Sequence, residues 1–126
     1  MQYLLMIYDE EKQFAKIPQE GMGKMLHDYG EFTEGIVRGG QFRAGARLQP
    51  VTTATTLREK GGKVVALDGP FAETKEQLGG YYLVECKDLD EAMAVAKRIP
   101  SLRFGGSVEV RPIAPMSEAP RTPPAK

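Results

Sequence analysis

Four ionisable side chains, Asp68, Glu73, Lys75 and Glu76, are crowded into one stretch, D-G-P-F-A-E-T-K-E-Q-L-G-G over residues 68–80. A carboxylate and an ammonium held on a loop can converge on a small polar or anionic ligand, with hydrogen bonds added by groups from elsewhere in the chain. Asp68 and Lys75 are the first such candidates, and Tyr8, Tyr29, Arg43 and Arg47 can complete the pocket. The stretch also bends. Gly69 admits a positive φ, Pro70 pins the next φ at about −65°, and Gly79–Gly80 lets the chain turn back. A structural role fits the same residues: Asp68 capping its own Gly–Pro turn, Phe71 filling the core, and Glu73, Lys75 and Glu76 in exposed or intersubunit ion pairs worth under ~1 kcal/mol each. Both roles stay open on the residues alone.

His27–Asp28 is the other pairing with acid–base potential, since imidazole titrates near neutral pH. Its setting points to solvent. Residues 27 and 28 share a helix face with Lys24, Glu31, Glu34 and Arg38, opposite the apolar stripe. One His and one Cys leave only scattered carboxylates as ligands, so no metal site is expected. Gly61–Gly62 belongs to a hairpin and not to a phosphate loop, and no cofactor is expected.

The elements that must position these groups follow from periodicity. Residues 2–8 alternate as a strand with Tyr3, Leu5 and Ile7 on one face and Leu4, Met6 and Tyr8 on the other. Both faces are apolar. From Pro18 to about Arg38, Met22, Met25, Leu26, Tyr29, Phe32, Ile36 and Val37 recur at helical spacing, and Gly39–Gly40 ends the helix. A short strand is expected at 41–48, then β-branched 51–58 and 64–67 around Gly61–Gly62 as a hairpin whose second strand leads into Asp68. Residues 81–86 form a further strand with two apolar faces. Asp88 and Glu91 resemble a capping box opening a second helix, whose stripe is Leu89, Ala92, Met93 and Ala96 and whose end is Pro100. Residues 107–113 make the last strand, with Glu109 and Arg111 pairing across strands.

The order strand, helix, strand, hairpin, strand, helix, strand is α+β: a ferredoxin-like β-α-β-β-α-β plan with an inserted β-hairpin and an antiparallel sheet. Two helices cover one face of such a sheet, so the second apolar face calls for a second copy of the chain, a homodimer. With 126 residues there is one domain, residues 1–113, followed by a proline-rich tail, 114–126, too poor in large apolar groups to order itself. The 17 basic and 17 acidic residues balance, which argues against nucleic acid as a partner. No run approaches the ~20 apolar residues of a membrane span, no signal peptide opens the chain, and Cys86 reads as a buried thiol. The expected location is the cytoplasm.

The motif D-G-P-F-x-E-T-K-E-x-L-G-G at 68–80, continued by Ser107-Val108-Glu109-Val110-Arg111-Pro112, resembles the signature of the DGPF group within the YCII-related family over roughly residues 1–113. Gly69, Pro70, Phe71, Glu73, Thr74 and Glu76 are the signature positions beside Asp68 and Lys75. The resemblance implies a dimeric α+β barrel with a cleft between sheet and helix or between subunits, and a ligand-binding or accessory role associated with extracytoplasmic-function sigma factors. Other branches of the family carry a His–Asp dyad, but the matching helix position here is Tyr29, and the Asp–Pro step is Ile99–Pro100. The dyad's chemistry therefore does not carry over. The alternative is a small isomerase or lyase acting on a cyclic or aromatic acid, with Tyr29 or Asp68 as acid or base and Lys75 or an arginine holding the anion.

Overall fold

The computed structural model describes residues 1–115. Most of the proline-rich tail lies outside the described residues. Strand β1 (Gln2–Asp9) is followed by a single turn of helix, α1 (Glu11–Phe14), and the long helix α2 (Gln19–Arg38). Then come β2 (Phe42–Arg47), the hairpin β3 (Thr55–Lys60) and β4 (Lys63–Asp68), β5 (Gln77–Glu85), α3 (Leu89–Ala96) and β6 (Ser107–Pro112). The chain is α+β. Its main sheet has four antiparallel strands in the order β2-β5-β1-β6, which is the ferredoxin-like arrangement, and β3-β4 form a separate two-stranded sheet.

One face of the main sheet carries the core. Tyr3, Leu5 and Ile7 of β1 stand opposite Val84, Tyr82 and Gly80 of β5 and meet Phe32 and Ile36 of α2 and Ala92, Val95 and Ala96 of α3 in one buried cluster. Cys86 is buried in the same cluster, and burial pushes its thiol up to about 11, so it stays protonated and inert at neutral pH. The opposite, helix-free face presents Leu4 and Met6 across from Leu83 and Tyr81, all half-exposed. Glu109 and Arg111 border it. They pair with each other along β6, Arg111 Nε donating to Glu109 Oε2 at 2.9 Å, instead of across strands.

Helix α2 begins after Pro18, whose fixed φ suits the entry and whose carbonyl accepts from the Met22 amide at 2.9 Å. In α3 the Asp88 carboxylate accepts from the Glu91 amide at 2.9 Å, the cap expected at that position. The helix is rotated from the expected stripe, however. Ala92, Val95 and Ala96 are buried while Leu89 and Met93 are exposed, because the small residues allow α3 to lie close to the sheet. Residues 51–53 form a 3-10 turn, not strand; the Thr53 amide and hydroxyl both donate to the Pro50 carbonyl, at 2.9 and 2.7 Å. A local hydrogen bond there outcompetes the β-propensity of Val and Thr.

Gly61 and Gly62 take φ of +57° and +82°, as a tight hairpin turn requires. Gly79 and Gly80 do not turn the chain. They lie inside β5, which starts four residues earlier than the expected strand, and a Cβ on Gly80 would come within 2.8 Å of the Ala46 carbonyl oxygen. Their role is close approach of strands.

Candidate functional site

A cavity of about 320 Å³ lies between α2 and the sheet, at the end where β1 finishes and β5 begins. Its wall is mostly apolar: Met25 and Leu26 from α2, Phe14 from α1, Phe42 from β2 and the backbone of β5. Leu26 is exposed for this reason, since it faces the cavity rather than packed protein. Such a concave apolar space with few polar groups is the usual form of a small-molecule site.

The polar groups converge from three separate elements. Asp9 ends β1, Tyr29 projects from the middle of α2, and Ser101 sits in the 3-10 turn Pro100–Phe104 after α3. Tyr29 Oη and Ser101 Oγ are 2.5 Å apart, and Ser101 Oγ donates a long bond of 3.5 Å to Asp9 Oδ2. Ser101 is 1% exposed, so its hydroxyl has no water to fall back on. Deeper in the wall, Thr33 and Tyr82 share a bond of 2.7 Å.

Asp9 is shaped by its glycine neighbours. A Cβ on Gly106 would fall 2.5 Å from Asp9 Oδ1, and one on Gly79 would stand 3.4 Å from Oδ2. The carboxylate thus occupies space that side chains in β5 and in the turn before β6 would fill. Burial raises the Asp9 pKa above the ordinary 3.8; the Ser101 hydrogen bond opposes this, Glu76 reinforces it, and Arg47 opposes it. Tyr29 is likewise raised above 10.0, first by burial and also by the nearby Asp9 charge, against the Ser101 hydrogen bond.

Arg47 stands at the mouth with its guanidinium 5.7 Å from the centre of the Phe14 ring. Beyond that stack lies a second hollow of about 420 Å³ that shares Asp9, Phe14, Arg47 and Gly79 with the first. The signature stretch forms part of its rim through Gln77, whose Oε1 accepts from the Glu11 amide at 2.9 Å, while Glu11 in turn accepts from the Val51 amide at 3.1 Å.

Of the residues expected to bind a ligand, Tyr29 and Arg47 line the cavity. Asp68 and Lys75 are exposed and do not line it; Asp68 ends β4 in the separate hairpin. Arg43 is turned to the end of α2, donating to the Gly40 and Phe42 carbonyls at 2.9 and 3.0 Å. The Tyr8 hydroxyl is 4.0 Å from Met6 Sδ. Gly69, at φ +104°, is held against residues 54–56, its amide donating to the Ala54 carbonyl and its own carbonyl accepting from the Thr56 hydroxyl, both at 2.8 Å. Pro70 follows it, and the Thr74 hydroxyl donates to the Glu76 carbonyl. Phe71 does not fill the core: it is 76% exposed, with the Arg58 guanidinium 5.3 Å over its ring. Glu73 is exposed, and Glu76 is half-buried close enough to Asp9 for their charges to repel. His27 is exposed and pairs with Glu31 at 3.2 Å, whereas Asp28 accepts from Arg103 at 3.0 Å.

A family model for the YCII-related domain matches residues 1–117. The chain belongs to the YCII-related family. An uncharacterized protein of Rhizobium meliloti (strain 1021) is 39% identical over 115 residues, 90% of this chain and 93% of that protein. In this family member the cleft's polar end is built by Asp9 and Ser101 with Tyr29, and sequence reasoning missed the first two. The available signal was topological. With β1 central, Gly79–Gly80 and Gly105–Gly106 sit on the strands or turns flanking its C-terminal end, opening room around residue 9. Among the described residues no His, Cys, Asp and Glu side chains cluster to hold a metal ion, and no helix is long and apolar enough to cross a membrane.

Proposed function

We propose that this YCII-related chain is a small-molecule-binding accessory protein of the cytoplasm that works as a homodimer. The observation that carries the binding reading is the apolar cavity of about 320 Å³ closed at one end by the Tyr29–Ser101–Asp9 chain and flanked at its mouth by Arg47. A ring-sized apolar body fits the wall, and a polar group meets the hydroxyls and the carboxylate. Amide and side-chain NMR of the full chain, titrated with benzoate, cyclohexanone and phenylpyruvate to millimolar concentration, tests this. Shifts centred on Tyr29, Ala46 and Gly80 are expected. Failure of all three compounds to move these resonances sinks the reading.

Pairing of two copies is supported by the helix-free sheet face, where Leu4, Met6, Tyr81 and Leu83 are half-exposed side by side. Light scattering at high concentration should give twice the chain mass, and Met6→Glu should halve it by placing a charge in the contact. A monomeric wild-type chain rejects the dimer. The second reading, a small isomerase acting on a cyclic or aromatic acid, is favoured by one feature: a half-buried carboxylate, Asp9, adjoining a phenol through a buried serine.

A further inference from the structure

Asp9, Ser101 and Tyr29 form a series of proton-exchanging groups along one wall of the cavity, with a link of 2.5 Å between the hydroxyls and a longer one of 3.5 Å to the carboxylate. Tyr29 and Ser101 hold two hydroxyl protons between them. With Asp9 ionised, Ser101 donates to Asp9 and Tyr29 donates to Ser101, so the ends of the chain offer only lone pairs to a ligand. With Asp9 protonated the direction reverses: Asp9 donates to Ser101, Ser101 to Tyr29, and the phenol is free to donate into the cavity. One proton on Asp9 thus converts the far end of the wall from acceptor to donor.

Resting on the reading that this cleft binds a small molecule, we propose that Asp9, Ser101 and Tyr29 form a closed proton circuit that interconverts the keto and enol forms of a small carbonyl compound. Asp9 takes a proton from the carbon next to the carbonyl. The C–H bond breaks, its electron pair becomes the carbon–carbon double bond and the carbonyl π pair moves to oxygen; the proton now on Asp9 reverses the two hydroxyls, and the enolate oxygen then receives the Tyr29 phenolic proton. Ser101 restores the proton of Tyr29, and Asp9 restores that of Ser101. The net change is one proton moved from carbon to oxygen, with the protein unchanged and no oxidant or reductant involved.

The surroundings suit this chemistry. Burial, opposed by the Ser101 bond and assisted by the Glu76 charge, raises Asp9 above the ordinary carboxyl value, which makes its carboxylate a stronger base, with Arg47 limiting the rise. Burial likewise keeps the Tyr29 phenol protonated. The 3.5 Å Asp9–Ser101 link is long, as such contacts often are before a ligand closes the site. The cavity's apolar wall accepts a ring, and Arg47 at the junction of the two hollows accepts a carboxylate on the same compound. The substrate class is therefore a small carbonyl compound with a removable hydrogen beside the carbonyl, an apolar body and an acid group.

The test uses phenylpyruvate and cyclohexanone as enolisable probes and benzoate as a probe that cannot enolise. Exchange of the hydrogens beside the carbonyl is followed by NMR in deuterated buffer, while binding is read from protein resonances. Wild type should exchange deuterium into phenylpyruvate above the buffer rate, Asp9→Asn should lower the enzymatic rate by about a hundredfold, and Tyr29→Phe and Ser101→Ala by about tenfold or more, with phenylpyruvate still bound. The amide spectrum of each variant reports its fold, and Tyr29→Phe decides the matter where Asp9→Asn is unfolded. Binding of any probe without exchange into either carbonyl compound overturns the circuit and leaves the binding reading standing. Exchange undiminished in folded Asp9→Asn or Tyr29→Phe also overturns it. If none of the three probes binds, the binding reading fails, and the circuit with it.

Discussion

The cleft and the signature stretch are built on opposite principles. The stretch takes its charges from neighbouring positions in the chain and leaves most of them in water, with Asp68, Glu73 and Lys75 exposed. The cleft draws Asp9, Tyr29 and Ser101 from β1, α2 and the turn after α3, buries Ser101 and half-buries the other two. Local crowding of charge needs no fold to hold it. Convergence over long sequence distance needs the whole sheet, and a carboxylate kept partly dry needs hydroxyls and glycines placed around it. Burial and topology, more than the density of ionisable residues, set where this chain holds polar groups out of bulk water.

The largest expected effect breaks or upholds the contrast in packing. Leu5 is 0% exposed beneath the cleft, and Leu5→Ala should destabilise by about 2–5 kcal/mol. Leu57, in a hairpin that pairs only with itself among the described residues, is 66% exposed, and Leu57→Ala should stay within about 0.5 kcal/mol. Urea midpoints measure both. A costly Leu57→Ala would mean that the hairpin is packed against something, a second copy of the chain first of all, and the contrast would then hold only for the separated chain.

A second pair sharpens the role of glycine. Gly106→Ala sets a methyl group 2.5 Å from Asp9 Oδ1 and 3.0 Å from two backbone carbonyl oxygens, and should destabilise by about 1–3 kcal/mol. Gly23→Ala in α2 meets nothing within 4 Å and should stabilise by up to about 1 kcal/mol. Equal effects from the two substitutions would show that the space around Asp9 is not enforced by its neighbours.

Much of the fold was legible because its signals are local. The heptad-like spacing of Met25, Phe32 and Ile36, the Asp88 cap, the Gly61–Gly62 turn and the alternation in β1 each act within a few residues, and the structure contains each of them. Element order then led to the ferredoxin-like plan. Gly79–Gly80 was misleading because glycine serves turns and close strand contacts alike, and only the pairing of β5 with β2 distinguishes them. Phe71 was misleading in the same way, since an aromatic beside Gly–Pro reads as an anchor while Arg58 and solvent cover it here. At the cleft, Tyr29 and Arg47 were legible as polar groups on named elements. Asp9 lay hidden in the charged run Asp9-Glu10-Glu11-Lys12, and Ser101 in an ordinary Pro–Ser step, because nothing local distinguishes a charge that ends a central strand from one that begins a loop.

The smallest expected effect is also the one that separates the two regions by electrostatics. Burial holds the folded-state pKa of Asp9 above 3.8, with Ser101 and Arg47 opposing and Glu76 reinforcing the rise. Between 3.8 and that raised value the folded chain binds more protons at this site than the unfolded chain, so the site's contribution to stability falls as pH rises through the interval. Above it the full burial penalty of the charge is present; below 3.8 the penalty is gone. Asp9→Asn keeps an acceptor for Ser101 but carries no charge, so it should melt higher than wild type at pH 7, and the gap should close as the buffer is taken to pH 3. Asp68→Asn, on an exposed carboxylate of the signature stretch, is the surface control. Melting curves for the two variants at both pH values make the comparison, and an Asp9→Asn chain that melts lower than wild type at pH 7 would show that the carboxylate is held by attraction to Arg47 and Ser101 more strongly than burial opposes it.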